Sequence, residues 1–451
     1  MITFAPLRTS AVLALVVTLR ASAHGNPAGD VTTTSPASPA TGAQIRTEVG
    51  YEYDADSATI TREHVGEPGL DPASPLPVRR ELTYRQSRQV VTPRVEVGVY
   101  RDLWLSLATP IVLAQSSELD VASGVDRTTL STFIDGILPV AGFDARNPVV
   151  APTGNTVFQS VVRSGVPELR LGVGYAPMNQ ARDDTKPTWK VGLDLHLSIG
   201  QVMKFDAVDP SKETGVSTGL DELRLWTSVD RRLRYFEGWF EASYQFAIDS
   251  RSSSLFQDPG FGATDINRGP IASVGFGLEA YLLDDPGRRI TAELGSRITT
   301  HFQGRGYSEM WEAFALAGDV RTAGPLVLDA DPVTAGVQGL SHPGISNIEN
   351  YLETSARLAV RGQFGPRLSF AAFGQFAWRS EHIISFADAG VDFPTCPAGL
   401  PRCENDDNTL VNPNTAEVNP LHNRRIDLVG HRYHADDSQG YAIGLEAHIA
   451  F

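Results

Sequence analysis

The stretch Tyr441-Ala-Ile-Gly-Leu-Glu-Ala-His-Ile-Ala-Phe451 decides how the chain is read. In an extended backbone Tyr441, Ile443, Leu445, Ala447, Ile449 and Phe451 share one face, while Ala442, Gly444, Glu446, His448 and Ala450 share the other. Working back from it, the same period of two recurs about a dozen times, and helical periodicity is nearly absent. Ile45, Val49, Tyr51 and Tyr53 oppose Arg46, Glu48 and Glu52; Val91 to Val99 oppose Arg94 and Glu96. After the tight turn Arg101-Asp102, Leu103 to Ala114 runs back, with Pro110 an objection to unbroken pairing. Leu169 to Tyr175 then alternate against Glu168 and Arg170, Trp189 to Leu197 against Lys190, Asp194 and His196, and Leu223 to Val229 against Glu222, Arg224 and Asp230. Further along, Phe240 to Ile248 oppose Glu241, Gln245 and Asp249, Ala272 to Leu278 oppose Glu279, and Ile290 to Phe302 oppose Glu293, Arg297 and His301. Leu352 to Val360 oppose Glu353, Arg357 and Arg361, and Leu368 to Trp378 oppose Gln375 and Arg379.

A soluble sandwich shows this pattern too, so the connections arbitrate. Those at Arg101-Asp102, Asn179 to Lys186, Arg231 to Glu237, Asp284 to Arg288 and Gln363 to Pro366 are short. Those at Glu63 to Pro77, Val121 to Val166, Phe205 to Thr218, Arg251 to Gly269, Gly304 to Asn350 and Ser380 to Asp437 are long. Short turns alternating with long loops predict an all-β fold, a single antiparallel transmembrane β-barrel of about 12 strands with short periplasmic turns and long extracellular loops. Aromatic residues near strand ends, among them Tyr100, Trp104, Trp189 and Trp378, suit the two membrane interfaces. Closure also removes the edges that an open sheet of this size would expose.

Composition bounds the alternatives. The 451 residues include 38 Lys plus Arg against 53 Asp plus Glu, and the net charge of -15 argues against nucleic acid as a partner. No stretch reaches the 18 or so apolar residues of a membrane-spanning helix. The slightly negative mean hydropathy suggests a soluble chain, because averaging erases a period of two.

Residues 1–23 have the features of a signal peptide: Arg8, an apolar run from Ala11 to Leu19, and Ala21-Ser22-Ala23 as a cleavage pattern. Residues 24–42 are Gly-, Pro-, Ser- and Thr-rich and are expected to be a flexible periplasmic tether, leaving 43–451 for the barrel. Cys396 and Cys403, in a Pro-rich stretch of an exported chain, are most simply a local disulfide. Free thiols are the alternative; a metal site would need more ligands than His422 adds, and neither metal nor cofactor is expected.

The terminal strand resembles the C-terminal signal of bacterial outer-membrane barrels, carried by Tyr441, Ile443, Leu445, Ile449 and Phe451. That resemblance implies recognition by the barrel-assembly machinery and residence in outer-membrane lipid. At finer grain, Pro93 to Pro110 and Glu168 to Tyr175 resemble the hairpins of the transporter-like family named for the meta pathway of phenol degradation. The chain departs from it in its much longer loops, and that family's substrate does not carry over.

The inward face predicts a charged lumen lined by Arg46, Glu48, Arg94, Glu96, Glu168, Arg170, Asp194, His196, Glu222, Arg224, Glu293, Arg297, Glu353, Arg357 and Glu446. The expected function is an outer-membrane channel or transporter for small solutes, with these charges either lining an aqueous path or pairing to hold it shut. Thr128 to Leu138 and Ser308 to Leu316 are expected to form short amphipathic helices, as a constriction or a cap. A second reading is a surface receptor, adhesin or structural barrel acting through its long loops. A third is an outer-membrane hydrolase using Asp194 with His196, or His431, His434 and Asp436, although no serine with an oxyanion hole is discernible.

Overall fold

The computed structural model describes residues 45–64, 77–250, 266–285, 287–329, 339–365, 367–387 and 421–450. The signal peptide, the tether, Cys396, Cys403 and the terminal Phe451 lie outside the described residues. Twelve long strands follow one another around a closed barrel. They are β1 Ile45–Glu63, β2 Val78–Tyr100, β3 Leu103–Ala108 continuing as Ile111–Val121, β4 Glu168–Met178, β5 Thr188–Ser198 and β6 Leu220–Arg232. The circuit continues through β7 Phe236–Ser250, β8 Ile271–Asp285, β9 Arg288–His301, β10 Tyr351–Phe364, β11 Leu368–Arg379 and β12 Tyr433–Ala450. Each pairs antiparallel with its neighbour, and β12 pairs with both β11 and β1, from Arg46↔Ala450 to Arg62↔Tyr433. Pro110 interrupts β3 as its missing N–H requires; the break is bridged by Thr109, whose N–H donates to the Pro93 carbonyl at 3.1 Å.

The short turns fall at one end of the barrel and the long loops at the other. Gly287 (φ 88°) and Gly365 (φ 67°) take the left-handed conformation that the turns β8–β9 and β10–β11 demand. Outside, the alternate residues form an apolar band: Leu105, Leu294 and Ile443 are 51%, 64% and 61% exposed. On β1 the outward apolar residues run from Ile45 to Ala55 and give way to Ser57 and Thr59. Eleven tilted residues climb roughly 25 Å, the height of a bilayer's hydrocarbon layer. Above that level β1, β2, β3 and β12 continue into a crown of loops.

The crown has a hydrophobic core of its own. Leu130, Phe133, Ile137 and Leu138 from the β3–β4 loop meet Met310 and Phe314 from the β9–β10 loop, and Phe386 and Ile426 from the β11–β12 loop, all nearly fully buried. Helix α1, Ser131–Ile134, and helix α2, Trp311–Ala317, lie within this core. Both are shorter than the sequence suggests. Helix α1 buries Thr132 and Phe133 and leaves Ile134 exposed, whereas α2 is not amphipathic: it buries Glu312 through Ala317, because neighbouring loops cover it all round. The N-terminus of α1 is capped from outside the loop, by Glu81 of β2, whose carboxylate accepts from the Ser131 and Thr132 N–H groups at 2.9 and 3.0 Å.

Candidate functional site: the charged lumen

Strand register sets the lumen's chemistry, because residues facing inward on neighbouring strands meet at fixed levels. Glu48 lies opposite Arg94, Arg224 lies opposite Asp194, and His196 is flanked by Arg170 and Glu222. The ion pairs run along the strands as well as across them: Arg94 to Glu96 and Arg170 to Glu168 at 2.6 Å, each two residues apart on one strand, and Arg357 to Glu446 at 3.2 Å and Arg224 to Asp194 at 3.6 Å between strands. Arg268, from the segment before β8, reaches Glu222.

These residues surround a cavity of about 610 Å³. Eleven of the fifteen expected lumen residues line it. Arg46, Glu96 and Glu293 sit nearer the short-turn end, where Arg46 lies opposite Glu96 and Arg361 reaches Glu293 at 2.6 Å. Glu353 sits nearer the crown, paired with Arg379 at 2.7 Å. The cavity wall also includes Glu52 and Arg88, which share the inward parity of their strands and were legible there, and Val216, Ser217 and Thr218 from the β5–β6 loop, which strand periodicity does not reach.

Above the cavity, the loops are clasped by a buried ion pair. Arg163 Nη2 lies 2.6 Å from Glu312 Oε1, with side chains 3% and 5% exposed. The Arg163 guanidinium also donates to the carbonyls of Lys204, Glu213 and Gly215 and stacks on Trp311, while Ser117 of β3 donates to the other Glu312 oxygen at 3.2 Å. One guanidinium thus joins three loops, and its partner carboxylate ties them to the wall.

Below the cavity, tryptophans lie against the inner wall. Trp104, Gly174, Gly192 and Trp226 occupy one register row on β3, β4, β5 and β6. Each indole lies over a glycine: a Cβ on Gly174 would stand 2.3 Å from Trp104, and one on Gly192 2.3 Å from Trp226. The two rings lie 6.4 Å apart. Trp104 is therefore no interfacial anchor, contrary to the sequence expectation; its parity matches Ser106 and Ala108, not the exposed Leu105. At the same end three buried glutamates face one another directly across strands, Glu237↔Glu279↔Glu293, with Arg361 reaching Glu279 at 3.2 Å as well as Glu293.

The histidines weighed for catalysis have other partners. His196 faces Glu168 at 3.6 Å, and Asp194 faces Arg224, so the two do not form a dyad. His431 lies 3.7 Å from Asp135. His434, above the apolar band, lies between Glu381 at 2.6 Å and Glu63 at 3.4 Å. Burial works against the charged ring, but the two carboxylates prevail and raise its pKa. Burial likewise opposes the charge on Glu63, yet hydrogen bonds from His434, Arg432 and the Gly430 N–H bring it to about 2.

No family model matches the chain, and no curated protein matches its sequence, so the meta-pathway resemblance gains nothing from either comparison. Among solved structures, an outer membrane channel of Pseudomonas putida shares 11% identity over 95% of this chain and 100% of its own, with a TM-score of 0.38. A FadL homologue of Pseudomonas aeruginosa shares 11% over 95% of each chain, TM-score 0.34. The outer membrane protease OmpT of Escherichia coli shares 6% over 90% of this chain and 97% of its own, TM-score 0.27. The closed barrel itself rests on the pairing of β1 with β12.

Proposed function

We propose that the chain is an outer-membrane channel or transporter for small polar solutes, with its short turns in the periplasm and its crown outside. The observation that carries this reading is the cavity inside the barrel, walled by arginines and carboxylates in alternation rather than filled by apolar side chains. Mixed charge suits solutes that carry both signs or many hydroxyls, because each end of such a solute finds a partner. The crown, clasped by Arg163 and Glu312, makes this a gated path, so the intact chain is expected to conduct weakly. The assembly machinery would recognise the terminal strand, and the lipid would cover the apolar band. A serine hydrolase finds no nucleophile at His434, whose ring nitrogens face the carboxylates of Glu381 and Glu63 and not a serine hydroxyl.

The test is a planar-bilayer recording of the refolded protein and of an Arg163→Ala variant that unclasps the crown. Small unitary steps that grow in the variant are expected. A folded sample that stays silent with and without the clasp overturns the channel.

A further inference from the structure

The short turns carry a charge opposite to that of the chain. These turns and the residues next to them hold nine cations, among them Arg101, Arg182, Lys186 and Arg232, against the seven carboxylates Asp102, Asp183, Asp184, Asp230, Glu237, Asp284 and Asp285, in a chain of net charge -15. Four of the cations are neutralised locally: Arg182 by Asp102 at 2.6 Å, Lys186 by Asp183 at 3.1 Å, and Arg232 and Arg289 both by Asp284. The other five, Arg101, Arg231, Arg234, Arg288 and Arg367, are exposed and form no ion pair within 4 Å among the described residues, although Arg288 stands opposite Asp285 in the register.

Four of these five cluster. Arg231 and Arg234 flank the β6–β7 turn, Arg288 opens β9, and Arg367 precedes β11. Successive turns stand two strands apart, roughly 10 Å, so the arc is about 20 Å long. Its depth is fixed by aromatic neighbours. Arg234 stacks on Tyr235 at 4.9 Å, and the exposed Tyr235, Phe236 and Phe364 end the apolar band at this level. A ring lodged at the interface of hydrocarbon and water holds the adjoining guanidinium at the level of lipid phosphates. Guanidinium matches phosphate oxygens bidentately, where a lysine would offer only a point charge.

We infer that this arc is a docking surface for anionic phospholipid headgroups of the inner leaflet, held by Arg231, Arg234, Arg288 and Arg367. The inference rests on the outer-membrane reading and on the short turns being periplasmic. It is tested by refolding the full chain into phosphatidylcholine vesicles with and without phosphatidylglycerol. Folding is followed by the heat-dependent shift in gel mobility, and lipids retained after gentle detergent extraction are counted by native mass spectrometry. The protein is expected to fold in both vesicles and to retain phosphatidylglycerol severalfold over phosphatidylcholine, with the preference declining as salt is added. The variant Arg231→Gln, Arg234→Gln, Arg288→Gln, Arg367→Gln should fold and lose the preference, while Arg146→Gln, in the crown, should keep it. Should the fourfold variant fail to fold, the pair Arg234→Gln, Arg367→Gln takes its place and should weaken the preference. Failure of the wild type to fold in either vesicle overturns the membrane reading; folding without a preference, or a preference that survives the substitutions, overturns the headgroup site alone.

Discussion

The two halves of β1 bury opposite chemistry toward the same axis. From Arg46 to Asp56 the inward residues are Arg46, Glu48, Gly50, Glu52, Asp54 and Asp56; above them come Ala58 and Ile60, 4% and 0% exposed. The neighbouring strands invert at the same height, β2 from Arg88 to Leu82 and β12 from Glu446 to Tyr433. Below the inversion lipid takes the apolar face, so charge is left for the lumen and must be paired. Above it water surrounds the strands, and the inner face is buried against loops, as in a soluble protein. The crown is thus a water-soluble core grafted onto an inside-out wall.

This contrast is open to direct attack. The largest effect is expected where the crown departs from its own rule, at its buried ion pair. Arg163→Ala leaves the buried Glu312 without its cation and should destabilise the crown by about 3–5 kcal/mol, whereas Arg163→Met with Glu312→Leu should come close to neutral. Protease cleavage of the loops in graded urea reads the crown separately from the barrel's heat-modifiable mobility. If both variants behave alike, the clasp is not what joins the loops.

Phe314→Ala removes a ring at the centre of the crown core and should cost about 3–4 kcal/mol there. The barrel should keep its gel mobility, and a loss of both together would show that crown and wall are one cooperative unit. In the wall, Gly192→Val forces the Trp226 ring off the strand and toward the lumen, at about 1–3 kcal/mol. Conductance of the unclasped variant should fall with it, and unchanged conductance would place the path away from the tryptophan row.

The smallest effect is at the rim where the two regions meet. His434 has a raised pKa, so its contribution is complete below its ordinary value and is lost as pH rises through the folded-state one. Glu63, held at about 2, contributes above its ordinary 4.5 and is lost as pH falls toward 2. Loop proteolysis near the rim should therefore increase on the alkaline side, and His434→Gln should flatten that dependence. A profile equally steep in the variant would assign it to another group.

The barrel could be read from Tyr441 to Ala450 and its repeats because a strand between lipid and a polar lumen must alternate, and strand parity alone assigns each residue a side. Strand number, turn positions and the inward parity of the charged residues follow from that local rule, including the Pro110 break. What parity could not give is which inward residues meet: the parity of Trp104 turns it inward, but only register sets its ring over Gly174. The crown lay further out of reach. Arg163 and Glu312 are 149 positions apart, in loops without periodicity, and only the closed barrel brings them together. Local alternation fixed the wall, since the solvent on each side dictates it residue by residue; the row beneath the cavity depended on the register between neighbouring strands, and the roof over it on closure, which decides which loops meet.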